Sequence, residues 1–351
     1  MPTKNKKQQH QSKRTKAIVL TILVLGVVVC CTTLFLLHRQ KLANNEAVTL
    51  YLPDNITYDA VVDSLDAHGC IGNHAAFSTL ARLRNYKDHV KGGCYKLTPG
   101  MSVWRALTKL YYGNQDPIHL TINKHRTKQS LSGYLGRKLE IDSSDMMALF
   151  NNDSICRSYG HTTKTIIGMF MQNTYDVYWN ISATNLMDRM QQESDRFWTD
   201  KRLRQCKALN LTPDEVVTLA SIVEEESNKN DEKPDIASVY LNRIRKGMLL
   251  QADPTLKYAV GDFTLRRLLN KHMEVDNPYN TYKYRGLPPG PICIPGQASI
   301  DAVLKNKKTD YLYFCAKSDF SGYHAFAKDL AQHNANAEAF HRELNRRKIF
   351  K

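Results

Sequence analysis

The sequence predicts an α+β protein carried on a single N-terminal transmembrane helix. Three observations predict it. An uncharged apolar run occupies 17–37, close to the start of the chain. Beyond it, apolar residues recur first at every second position and then at helical spacing, in short alternating units. With 351 residues, of which 42% are hydrophobic, the chain can bury a real core, which excludes wholesale disorder and suits one or two domains.

The first element is the tail 1–16, where Lys4, Lys6, Lys7, Lys13, Arg14 and Lys16 occur without an acid. The run 17–37 is long enough for a bilayer-crossing helix, which needs about 20 apolar residues. A cleaved signal has a shorter apolar stretch ending in small residues; here no A-x-A pattern follows, and bulky Val29 precedes Cys30 where a lipoprotein would need a small residue. The basic flank predicts a cytoplasmic N-terminus and an extracytoplasmic remainder. A short linker, 38–45, follows.

Of the eight cysteines, Cys30 and Cys31 fall in the apolar run. The others show no C-x-x-C spacing, which argues against a metal cluster. An extracytoplasmic location permits a disulfide. Cys70 and Cys94, in one small region, are the first candidates; isolated buried thiols are the alternative.

Residues 46–118 read as a small α+β module. "VTLYLPDNITYDAVVDSLDAHGCI" gives a strand, a turn and a helix from about Thr57. "CYKLTPGMSVWRALTKLYYG" repeats that plan, with Ser102 as helix cap and Val103, Leu107 and Leu110 on one face. Such a module binds glycans or acts as a rigid spacer. A weaker third copy leads into the larger domain, 119–351. Residues 119–210 read as mostly helical, interrupted by "GMFMQNTYDVYWNIS". Its aromatic residues beside amides suit sugar rings, although a core strand accounts equally for Tyr175 and Val177.

The next element is "LTPDEVVTLASIVEEES". Thr212, Pro213 and Glu215 spell a capping box with proline at the first helical position. Val216, Leu219, Ala220 and Val223 form an apolar stripe. Glu225 points nearly opposite its centre and reads as a solvated charge. Glu224 and Glu226 fall on its borders, with a slight preference for Glu226. A carboxyl at such a border is partly desolvated and stays protonated, as a general acid requires. A plain surface charge is the competing reading.

The blocks "LASIVEEES", "IASVYLNRIRKGMLLQADPTLKYAVG", "NPYNTYKYRGLPPGPICIPGQASIDAV" and "YLYFCAKSDFSGYHAFAKDLAQHN", in this order, resemble the endolytic murein transglycosylases, the YceG-like family. The resemblance implies a LysM-like character for the 46–118 module and a mixed α+β catalytic domain at 119–351. It assigns the catalytic acid to Glu226, the last acid of the family's A-S-I-x-E-x-E motif. It implies that the loops carrying Gln251, Asp253, Thr255, Asn280, Thr281 and Tyr282 line the glycan groove; each of these alone is also a plausible turn former or cap. Where family members often carry Pro-Asp, this chain has Gln172-Asn173.

The implied activity is lytic cleavage between N-acetylmuramic acid and N-acetylglucosamine, giving 1,6-anhydro ends and terminating nascent strands, with no metal or cofactor. Penicillin-binding proteins are the implied partners. The net charge of +15 is assigned to anionic lipid or wall polymers rather than nucleic acid. Two other readings stand beside this one. One is a hydrolase with Asp253 as second carboxylate; the other is a non-catalytic wall-binding scaffold. His324 and His333 read as packing or surface residues.

Overall fold

The computed structural model describes residues 3–265 and 268–347. The chain is a mixed α+β protein that divides into two compact units, one running to Ile118 and including Val177–Asn180, the other comprising His119–Asp176 and the chain from Ile181 on.

The first unit begins with helix α1 (Thr3–His38). Its segment Arg14–Thr33 is long and apolar enough to cross a membrane, and none of it is buried by protein. The folded part follows the two strand–turn–helix units expected from the sequence. Strand β1 (Val48–Leu52) pairs antiparallel with β2 (Gly93–Leu97), with Val48 opposite Leu97. Helices α2 (Tyr58–Ala67), α3 (His74–Leu83) and α4 (Val103–Tyr112) complete it. Thr57, Asn73 and Ser102 cap them, each side chain accepting from the N3 amide. Leu50, Leu52, Val61, Leu65, Phe77, Leu80, Leu97, Leu107 and Leu110 form the shared core. Cys70 and Cys94 are separate buried thiols in this unit, not a disulfide. The aromatic stretch splits as its residues dictate. Tyr175 and Val177 point inward from strand β4 (Asn173–Val177), which pairs with β3 (Ile118–Ile122). Trp179 packs edge-on against Tyr51 of the first unit at 5.4 Å.

The second unit is largely helical. Helices α5 (Lys128–Lys138), α6 (Ser143–Asn151), α7 (Asp153–Ser158), α8 (Ala183–Phe197) and α9 (Asp200–Leu209) precede the glutamate helix α10 (Pro213–Glu226). Then come α11 (Lys233–Arg245), α12 (Asp253–Val260), α13 (Asn270–Met273) and α14 (Gln297–Leu304). The hairpin β5 (Tyr313–Ala316) and β6 (His324–Ala327) and helix α15 (Leu330–Arg346) close the chain.

Helix α10 is the core of this unit, not an amphipathic surface helix. Every residue from Val216 to Val223 is buried, with α9, α11, α12 and α14 packed against it. Its two buried hydroxyls are satisfied within the core. Thr218 donates to the Asp214 carbonyl at 2.8 Å, and Ser221 donates to the Thr218 carbonyl while accepting from the Ile292 amide at 3.0 Å. The segment holding Ile292 enters through the Gly-Leu-Pro-Pro-Gly turn. A Cβ on Gly290 would lie 2.2 Å from the Lys164 carbonyl oxygen, so only glycine allows that approach.

The start of α10 carries the full capping box: the Thr212 hydroxyl accepts from the Glu215 amide, and the Glu215 carboxylate accepts from the Thr212 amide at 2.7 Å. Thr212→Ala is expected to destabilise the second unit by about 0.5–2 kcal/mol, read from urea unfolding, without changing the residues that surround Glu226.

Candidate active site

The three glutamates sit in the last turn of α10, where helix carbonyls point outward and the helix dipole disfavours carboxylates. The structure settles each one differently. Glu224 pairs with Lys233 Nζ at 2.9 Å and accepts from the Ser299 hydroxyl of α14. Lys233 is almost completely buried, so this pair is internal. Glu225 accepts two bonds from Arg126, from Nε at 3.2 Å and from Nη2 at 2.7 Å, with Lys124 Nζ at 3.2 Å. Burial opposes its ionisation, but these cations overcome it and hold the carboxyl below its ordinary range.

Glu226 makes no ion pair with any described residue. Its Oε1 accepts from the hydroxyl of Tyr240, on α11, at 2.5 Å. Burial pushes its pKa up to about 7; the Tyr240 bond and Lys257 pull the other way, and Asp253 and Glu225 add to the rise. The carboxyl is therefore protonated in a large fraction of molecules at neutral pH.

Two cavities meet at Glu226. One, of about 250 Å³, is lined by Arg126, Glu225, Glu226, Asp253, Lys257, Tyr258 and Phe263, among others. The second, of about 380 Å³, includes Glu226, Tyr240, Arg243, Gln251, Asp253, Tyr282, Tyr313 and His333. Glu226 and Asp253 belong to both. Together the cavities form a groove with a protonatable carboxyl at its middle and aromatic rings on either side, an arrangement that suits a chain of sugar rings.

The loop residues expected to line the groove divide into two sets. Gln251, Asp253 and Tyr282 line it. Gln251 holds a left-handed conformation, φ 49°, with its amide bonded to the Thr281 carbonyl at 3.1 Å. Asp253 opens α12 and accepts from the Tyr282 hydroxyl. Thr255, Asn280 and Thr281 do not reach the groove, because they are 0%, 0% and 1% exposed. The hydroxyls of Thr255 and Thr281 bond each other at 2.7 Å, and Thr281 also accepts from the Ala252 amide at 3.0 Å. Asn280 donates to the carbonyls of Met273 and Val275. The two threonines fasten the loops together while Asn280 closes its own turn, and together they place Asp253 and Tyr282.

The expectation for Glu225 is also corrected. It faces the groove in an ion pair rather than solvent, because the side of α10 opposite the apolar stripe is covered by the segment at 124–126. Arg126 lies 99 residues earlier in the chain than Glu225, so no local pattern signals it. Tyr240 was equally hidden, since "IASVYL" reads as plain core. Arg243 is 8% exposed and bonds the carbonyls of Leu312 and Leu250 at 2.7 and 2.8 Å. His333 stacks on Tyr313 at the groove wall, while His324 bonds Glu232 at 2.9 Å. Gln172 donates to the Ile294 carbonyl at 2.7 Å.

The sequence pattern of the YceG-like family matches residues 50–339. The chain belongs to the YceG-like family. The endolytic murein transglycosylase of Bacillus subtilis is 27% identical over 320 residues, which cover 87% of this chain and 88% of that protein. The protein of the same name from Streptococcus pneumoniae is 27% identical over 85% of this chain, which spans 59% of that longer relative. A crystal structure of a yceG-like protein from Listeria monocytogenes superposes with a TM-score of 0.56. It is 28% identical, over 83% of this chain and 99% of that one.

The raised pKa of Glu226 has a consequence for stability. The folded state holds this proton up to about pH 7, whereas an unfolded glutamate releases it near pH 4.3. The folded state therefore binds more protons between these values, and this residue's contribution to stability falls as pH rises through that window. Glu226→Gln, which stays neutral, is expected to exceed the unmodified protein in stability by roughly 1–3 kcal/mol at pH 8. The difference should vanish near pH 4. Denaturant unfolding at the two pH values measures it.

Proposed function

We propose that the protein is a lytic transglycosylase acting on peptidoglycan, with Glu226 as its acid and base. The observation that carries this reading is the isolation of Glu226. Of three adjacent carboxyls it alone lacks an ion-paired cation among the described residues, and burial raises it to about 7, at the junction of the two cavities. The family membership and the names of the relatives support the same reaction.

In the proposed reaction, Glu226 gives its proton to the oxygen bridging N-acetylmuramic acid and N-acetylglucosamine. The C1–O bond breaks, and its electron pair stays on that oxygen, which leaves as a hydroxyl. The muramic acid 6-hydroxyl attacks C1, and its proton passes to the Glu226 carboxylate. The product is a 1,6-anhydro end, and the enzyme recovers its starting protonation. Because the nucleophile belongs to the substrate, effective concentration replaces the second carboxylate and water that other glycosidases use. Gln251 and Tyr282 act as binding residues on one side of the scissile bond, and Asp253 lies between the two sides. The aromatic groove walls offer stacking faces to the sugars.

In this reading α1 is an uncleaved membrane anchor, and the basic residues before it hold the N-terminus in the cytoplasm. The catalytic unit then works outside, close to where strands are made, and ends glycan elongation beside penicillin-binding proteins. The first folded unit serves as a LysM-like module.

Three results test this. Glu226→Gln should keep its fold and lose roughly 10²- to 10⁴-fold in cleavage of labelled glycan strands. Wild-type activity should fall as pH rises through about 7, where the acid loses its proton. Asp253→Asn should keep appreciable single-turnover activity and yield anhydro ends by mass spectrometry; reducing ends in the wild-type digest, with Asp253→Asn as inactive as Glu226→Gln, would favour the water-using hydrolase instead. For topology, a reporter fused after the C-terminus should be active only when it functions outside the cytoplasm. Activity of a cytoplasm-dependent reporter at that position would rule the orientation out.

A further inference from the structure

The two oxygens of Glu226 are not equivalent. Oε1 accepts from the Tyr240 hydroxyl at 2.5 Å. Oε2 has no hydrogen-bond partner among the described residues, and it belongs to the residue shared by both cavities. Tyr240 is itself held in place. It is 2% exposed, and its ring meets Phe314 edge-on at 5.9 Å. The hydroxyl therefore points at Glu226 from a packed ring on a neighbouring helix, with little freedom to turn away.

We propose that Tyr240 is a positioning residue, which commits Oε1 of Glu226 to the protein and leaves Oε2 to deliver and recover the proton. The inference rests on the transglycosylase reading above. Its chemistry follows from the donor's preference. In a neutral carboxyl the carbonyl oxygen is the better acceptor, so a fixed donor at Oε1 favours the proton on Oε2. When that proton moves to the bridging oxygen, charge grows on the carboxylate and the Tyr240 bond strengthens. The bond is thus worth more in the transition state than in the bound ground state, and it acts on kcat rather than on substrate affinity.

The charges around Glu226 leave this role to Tyr240. Asp253 and Lys257 of α12, Arg243 of α11 and Glu225 on its own helix act on it through space, and Tyr282 is bonded to Asp253. None of these makes a hydrogen bond to the Glu226 carboxyl among the described residues, so the orientation of that carboxyl depends on the Tyr240 hydroxyl.

Tyr240→Phe removes the hydroxyl and keeps the ring against Phe314. Single-turnover cleavage of labelled strands by the full chain, across pH, is the measurement. The expected result is a kcat lower by about 10- to 100-fold, with KM nearly unchanged. The alkaline limb of the pH profile should move upward, because a donor that favours the carboxylate is gone. A tyrosine that merely filled space would leave that limb where it was. Glu226→Gln is run alongside. If it is inactive while Tyr240→Phe matches the wild type in kcat and limb, the positioning role is overturned and the transglycosylase reading stands. If Glu226→Gln retains full activity, both fall.

Discussion

The site depends on one constraint: three carboxylates at the C-terminal end of a buried helix. The location is unfavourable for each of them, because burial and the helix dipole both penalise negative charge there. The fold answers with a different partner for each. Glu224 receives a buried lysine and a serine from α14. Glu225 receives an arginine fork and a lysine from the segment preceding α5. Glu226 receives a single neutral donor. The first two are held in ion pairs that tie α10 to its surroundings. The third is left with an unfavourable charge and so retains a proton near neutrality. The pairs on either side make that selectivity possible, since without them three like charges would share the helix end.

The loops beyond α11 translate this into a groove. Gln251 and Asp253 reach it only because Thr255 and Thr281 join hydroxyl to hydroxyl and Asn280 holds its own turn closed. A buried polar link of this kind is costly when half satisfied, and here its described partners are all present. The result is a rigid wall on which Tyr282 and Asp253 are bonded to each other beside Glu226. Arg243 performs a similar service on the other wall. Its guanidinium binds backbone carbonyls near β5 and the 249–250 segment, and lies over the Tyr313 ring at 5.2 Å.

The amino-acid sequence by itself determined the local elements and directed attention to Glu226. Caps at Ser102 and Thr212 were legible because a helix start needs a short polar side chain within reach of its own first amides. The apolar run in α1 was legible because length and lack of charge are one-dimensional properties. The motif around Glu226 was legible from its pattern, with helix periodicity lending only slight preference over Glu224. Tertiary structure decided what surrounds them. Periodicity placed Glu225 in solvent, but a helix enclosed on all sides has no solvent face, and Arg126 arrives from 99 residues earlier in the chain. Thr255, Asn280 and Thr281 looked like sugar ligands because a polar side chain in a loop has the same composition whether it faces a groove or clasps a neighbouring loop. Tyr240 looked like core and is core, yet its hydroxyl meets Glu226 because α11 packs against α10. Hydrogen-bond partners between elements are properties of packing, and no spacing along a single chain records them.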